Sequence, residues 1–122
     1  MDAARERCNA VEQRVDSTMV LMELSVVPLG QGESVSQYVA QCVDVIAQSG
    51  LDYELNAMGT VVEGELPQLL AIIQQCVDLM SRHSDRVTAS VKLDHRAGAS
   101  GRIRGKVASV ETKLAANKNQ PG

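Results

Sequence analysis

LDYELNAMGTVVEG, residues 51–64, is the stretch that decides the fold. Its first half alternates, with Leu51, Tyr53, Leu55 and Ala57 on one side and Asp52, Glu54, Asn56 and Met58 on the other, the period-two pattern of a half-buried strand. A Met-Gly-Thr step then interrupts it, and GTVVE continues as another strand. Two strands in direct succession, with Gly59 placed for a tight turn between them, make an antiparallel hairpin. A hairpin at mid-chain separates a split arrangement from the repeated strand-helix alternation of a parallel sheet.

Both flanks extend the pattern. Upstream, TMVLMELSVVP (18–28) is rich in β-branched and long apolar residues and reads as a buried strand ending at Pro28. Ser34 and Gln37 have capping-box spacing, and Val35, Tyr38, Val39, Cys42, Val43 and Ile46 recur at three and four, so a helix starts at Ser34 and stops at Gly50. Downstream, a second helix begins near Pro67 with Leu66, Leu69, Leu70, Ile73, Cys76, Val77 and Met80 as its apolar stripe. RVTASVKLD (86–94) alternates again. The order βαββαβ predicts an α+β, ferredoxin-like sandwich: a four-stranded antiparallel sheet with both helices on one face. HRAGASGRIRG (95–105) reads as a basic, glycine-rich loop, and Lys106 to Leu114 as a short C-terminal helix through Val107, Val110 and Leu114. The expected division is an N-terminal extension at 1–17, helical or flexible, one domain at 18–115, and a flexible tail at 116–122.

Composition bounds the function. The 122 residues suffice for one core, and with no Phe or Trp and two Tyr that core must be built from Val, Leu, Ile, Met and Ala. Few aromatics and a net charge of −3 argue against nucleic-acid binding. Cys8, Cys42 and Cys76 are an odd set without CxxC spacing, which suits a reducing cytosol better than a disulfide framework or zinc site. The charged first 17 residues hold no signal-peptide core, and no apolar run reaches the roughly 18 residues of a membrane span. A cytoplasmic protein without membrane contact is expected.

Catalytic signals are sparse. His83 and His95 follow a helix and a strand without metal-ligand spacing, which marks them as surface histidines. Cys42 and Cys76 lie in apolar stripes as packed thiols. GRIRGK lacks the GxxxxGK[ST] phosphate loop and reads as a solvated loop whose Arg96, Arg102 and Arg104 could meet an anion. The alternation leaves Glu23, Ser25, Glu54, Asn56, Thr88, Ser90, Lys92 and Asp94 on the helix-free face. That face is either a solvated or oligomer-facing surface, or one wall of a small-ligand pocket closed by a second subunit.

VVPLG, SVSQYVAQCVDVIAQSGLDYELNAMGTVVEG, DRVTASVKLDHR and KVASVETKL, spanning Met19 to Leu114, together resemble the small thiamine-binding protein family of the MTH1187/YkoF-like superfamily. The resemblance implies a ferredoxin-like subunit, dimers pairing into homotetramers, and binding of thiamine or its hydroxymethylpyrimidine part with no established catalysis; no cofactor and no metal are expected. The ligand-binding residues it implies are Ser34, Ser36, Glu54, Asn56, Met58, Gly59, Thr60 and Asp94. A carboxylate and small hydroxyls suit the aminopyrimidine, an acid offsets the thiazolium cation, and Met58 offers a soft thioether to a flat ring. Ser34 is already explained by capping, Ser36 less so. A carrier, buffer or sensor is expected; the alternatives are an oligomeric interaction module without ligand, and a thiamine-salvage enzyme.

Overall fold

The structure is a computed structural model and describes residues 18–32 and 35–118. Its elements are β1 (Val20–Pro28), α1 (Ser36–Gln48), β2 (Asp52–Asn56), β3 (Gly59–Gly64), α2 (Leu66–Ser81), β4 (Val87–Asp94) and α3 (Arg102–Lys118). The sheet is ordered β2-β3-β1-β4 and every neighbouring pair is antiparallel. This is the predicted α+β ferredoxin-like arrangement, with β1 central because its Val20, Met22, Leu24 and Val26 are all buried on one face. Against them pack Tyr38, Cys42 and Ile46 of α1 and Leu69, Ile72, Cys76 and Met80 of α2. Sulfur and branched aliphatic side chains fill the volume that aromatic rings occupy elsewhere.

The register confirms the face assignment. Glu23 pairs with Lys92 and Val61, Ser25 with Ser90, Val27 with Thr88, and Leu21 with Asp94 and Glu63, while Glu54 sits opposite Val61. All eight residues assigned to the helix-free face therefore lie on it. Residues 57 and 58 form the β2–β3 turn, with Asn56 opposite Gly59. Gly50 ends α1 at φ +78°, as the stop signal predicts.

Three local expectations are corrected. The helix expected from Ser34 begins at Ser36, with Val35 at its N-cap and no side-chain cap; Ser34 itself lies outside the described residues. Reciprocal-cap geometry appears instead at α2, where the Glu65 N–H donates to Gln68 Oε1 at 2.9 Å. The C-terminal helix spans Arg102–Lys118 rather than Lys106–Leu114, and so takes in GRIRG residues read as loop and the start of the expected tail. The extension at 1–17 and residues 119–122 lie outside the described residues.

The longer α3 has a nonlocal cause. Glu63, 4% exposed, points to the helix-free face, and its carboxylate accepts the N–H groups of Gly101 (2.6 Å), Arg102 (2.6 Å) and Ile103 (3.1 Å). A strand carboxylate thus supplies the N-terminal cap that the helix's own sequence lacks. A second clamp joins β4: Asp94 accepts from Lys106 Nζ at 2.6 Å and pairs with the Arg102 guanidinium, which also donates to the Asp94 carbonyl at 2.8 Å. Past this anchor α3 is little buried, with Val107, Val110 and Leu114 each about half exposed.

The Lys106 ammonium, then the Arg102 guanidinium, hold the Asp94 carboxyl down at about 2 from its ordinary 3.8. A depressed carboxyl contributes stability that is full above its unfolded value and fades as pH falls through the folded one. Between about pH 4 and pH 2 the α3 anchor should therefore loosen ahead of the sheet. Amide resonances of α3 followed across that range are expected to show the step in the parent and to lose it in Asp94→Asn; identical profiles would exclude the clamp as its source.

Candidate functional site

The β2–β3 turn, the C-terminal half of β1 and the exposed-to-buried flank of α1 enclose a cleft of about 160 Å³ on the helix side of the sheet. Leu24, Val26, Val39, Cys42 and Ile46 make its inner walls, and Asn56, Met58, Gly59 and Thr60 close one end. Its lining is apolar apart from Ser25, Asn56, Thr60 and the Cys42 thiol, and contains no carboxylate, imidazole or amine among the described residues. It opens onto a shallower groove of about 790 Å³ between α1 and the uncovered edge strand β2. Val35, Val39, Val43 and Leu55 line both. The groove exists because α1 and α2 cover the sheet centre and leave Tyr53 and Leu55 of β2 42% and 56% exposed.

Thr60 is the polar group that stands out. It pairs with the buried Leu24, so its side chain faces the helix layer, and it is only 4% exposed. Its hydroxyl makes no hydrogen bond to another described residue, yet it is not sealed from solvent as an unsatisfied buried atom would be. A hydroxyl directed at a small apolar cleft is a group available to a ligand. Asn56, at the end of β2, borders the cleft while its place in the register puts its side chain on the helix-free face. Met58, 87% exposed, projects from the turn beside it.

The eight residues expected to bind ligand thus separate. Asn56, Met58, Gly59 and Thr60 meet at the cleft, and Ser36 lines the adjoining groove. Glu54 borders instead the hollow between β2 and α3, beside Arg104. Asp94 lies across the sheet from it and is engaged by Lys106 and Arg102. Ser34 lies outside the described residues. Sequence reading passed over Asp44, the one acid lining the groove, whose carboxylate accepts from Gln48 Nε2 at 2.8 Å. Its exposed place in an amphipathic helix gave no signal beyond solvation.

Gly59 has a structural reason of its own. It is the first residue of β3 rather than the turn, and its φ is not positive. A Cβ there would stand 3.2 Å from the Leu24 carbonyl oxygen and 3.4 Å from Glu23 Cγ, so its bare backbone lets β1 approach. Gly59→Val is expected to cost about 1–3 kcal/mol through overpacking, read as a lowered urea midpoint. An unchanged midpoint would show that β1 yields freely.

The histidines form no centre. His83 is exposed, with Nε2 2.9 Å from Gln41 Oε1 and its ring 5.0 Å from that of Tyr38, and His95 is exposed. Among the described residues no cluster of His, Cys, Asp or Glu could hold a metal, and no helix is long and apolar enough to cross a membrane.

Known proteins carry the same fold and sequence pattern. UPF0045 protein Mb1933 of Mycobacterium bovis is 38% identical over 96 residues, which cover 78% of this chain and 94% of that protein. The crystal structure of hypothetical protein MJ1052 from Methanocaldococcus jannaschii superposes with a TM-score of 0.72 at 36% identity, covering 76% of this chain and 96% of that one. A structure from Thermotoga maritima described as a putative thiamine biosynthesis/salvage protein shares the fold, with a TM-score of 0.68 at 22% identity over 75% of this chain and 98% of its own. The sequence model of the family described as thiamine-binding protein matches residues 22–111, from near the start of β1 to the middle of α3, and so takes in every element that builds the cleft. The chain belongs to the thiamine-binding protein family.

Proposed function

We propose that this protein binds thiamine or its hydroxymethylpyrimidine part and releases it unchanged, as a carrier, buffer or sensor. The observation that carries the reading is the unpartnered Thr60 hydroxyl inside an apolar cleft of about 160 Å³. That volume falls below the roughly 300 Å³ at which whole-ligand pockets begin, and suits one ring. An aminopyrimidine entering it would meet the Thr60 hydroxyl, which can donate to a ring nitrogen or accept from the amino group. The thiazolium would then lie over the open groove, where Asp44 offsets its charge and Tyr53 offers a ring face. A lining without an acid–base pair favours holding a molecule over transforming it.

A second copy fits the same picture. The groove is open on one side, and the helix-free face carries the apolar Leu21 and Val27 among its polar residues. A homodimer, or a homotetramer built from it, would cover part of both surfaces. Light scattering at micromolar concentration is expected to give a multiple of the 13.1 kDa chain mass; a monomer alone would overturn the assembly.

Calorimetric titration with thiamine, thiamine phosphates and hydroxymethylpyrimidine tests the function. Saturable heat with thiamine and with the fragment, and recovery of each ligand intact, is the expected result. Absence of binding by the folded protein would favour an oligomeric interaction module, and a changed product would favour a salvage enzyme.

A further inference from the structure

α1 and α2 each contribute one cysteine to their shared interface. Cys42 and Cys76 are free thiols, 7% and 0% exposed, on facing sides of the two helices. Cys76 Sγ lies 3.9 Å from the Cys42 carbonyl oxygen, to which its thiol donates. The Cys76 sulfur thus touches the Cys42 main chain across the α1–α2 interface, and disulfide bonding between the two asks for a Cα separation of about 4.4–6.8 Å. Their surroundings differ in one respect. Cys42 forms part of the cleft wall, whereas Cys76 lies behind it, sealed in the core.

We propose that Cys42 and Cys76 form a reversible dithiol–disulfide couple at the inner wall of the cleft, oxidised by a small peroxide that enters through it. Size selects the oxidant: about 160 Å³ holds a few molecules of water's size, roughly 30 Å³ each, but not a tripeptide disulfide. Hydrogen bonding from Cys76 lowers the Cys42 thiol from its ordinary value, while the same contact, with burial, raises Cys76. The accessible sulfur is therefore also the one that ionises first. The Cys42 thiolate attacks one peroxide oxygen, the O–O bond breaks, hydroxide leaves, and Cys42 becomes a sulfenic acid. The Cys76 sulfur then attacks the Cys42 sulfur, the S–O bond breaks, and the departing hydroxide takes the Cys76 proton as water. The pair has lost two electrons and the peroxide has gained them. The product ties α1 covalently to α2 at the wall of the cleft, so the state of the thiols acts on whatever the cleft holds.

The test uses the full chain carrying Cys8→Ser, which leaves Cys42 and Cys76 as its only cysteines. After exposure of the native protein to hydrogen peroxide, thiols are counted by alkylation in denaturant and the product is weighed. Both thiols are expected to disappear together in a monomeric chain lighter by two hydrogens, and dithiothreitol should restore both. With Cys76→Ser added, the resolving sulfur is gone, and dimedone should label Cys42 in the native state. Thiols that survive in the native chain and react only after unfolding would overturn the proposal, as would cross-links solely between chains. Should Cys8→Ser fold poorly, peptide mapping of the oxidised parent reads the same Cys42–Cys76 linkage or its absence.

Discussion

Glu63→Ala is expected to release α3 while leaving the sheet folded. The substitution removes an acceptor from three backbone N–H groups at the helix start and leaves them beside a largely buried position. A helix cap contributes up to about 2 kcal/mol, and a hydrogen bond to a charged group about 1.5–3 kcal/mol. A loss of roughly 2–4 kcal/mol at this end of the helix follows, allowing for partial hydration of the freed groups. Little else holds α3. Arg102 is its one buried residue, Gly105 weakens its first turns, and a helix of this length without tertiary support is marginal in water. Amide hydrogen exchange separates the outcomes: α3 should lose protection by about tenfold or more, while β1 and α2 amides keep theirs. Glu63→Gln should fall between parent and alanine, since its amide oxygen still accepts but carries no charge. Protection of α3 unchanged in Glu63→Ala would mean that the Asp94 clamp alone holds the helix.

The same residue marks the boundary of what sequence pattern reveals here. Alternation in 51–64 and the three-four spacing of Val39, Cys42, Val43 and Ile46 determine strand faces and helix faces, because both depend on local geometry and burial. The register then follows from which face is buried, and the eight helix-free-face residues land where expected. The extent of α3 depends on a carboxylate 38–40 residues away, and no window along Arg102–Lys118 contains that information. Gly105 within it and Gly101 just before it instead favour a loop. The cleft is legible only in part for a related reason. Asn56, Met58, Gly59 and Thr60 are consecutive or nearly so, and a turn keeps them together. Glu54 is two residues from Asn56 and shares its sheet face, yet it lies away from the cleft, beside α3. Asp44 reaches the groove only through the packing of α1 against β2, a tertiary fact.

The division of the ligand between cleft and groove makes the functional reading separable residue by residue. Thr60→Val keeps the shape and removes the hydroxyl that faces the cleft, so it should weaken thiamine and hydroxymethylpyrimidine alike, by roughly 1–2 kcal/mol, or about five- to thirtyfold in Kd. Part of that loss would arise because the ligand's buried polar atom is left without a partner. Asp44→Asn changes only a charge at the rim of an open groove, where an exposed ion pair contributes about 0.2–1 kcal/mol, and should weaken thiamine by no more than about fivefold. The uncharged pyrimidine fragment has no cation for Asp44 to meet, so its affinity should stay unchanged in that variant. Added salt should diminish the Asp44 effect and leave the Thr60 effect in place, because screening acts on exposed charges. Glu54→Gln is the control on the acid that lies outside the cleft and should leave both ligands as in the parent. Calorimetry on the three variants, after urea melts match the parent, makes the comparison. If Thr60→Val binds both ligands at parental affinity while Glu54→Gln loses them, the ligand lies on the helix-free face and the cleft is only a packing gap beside the turn.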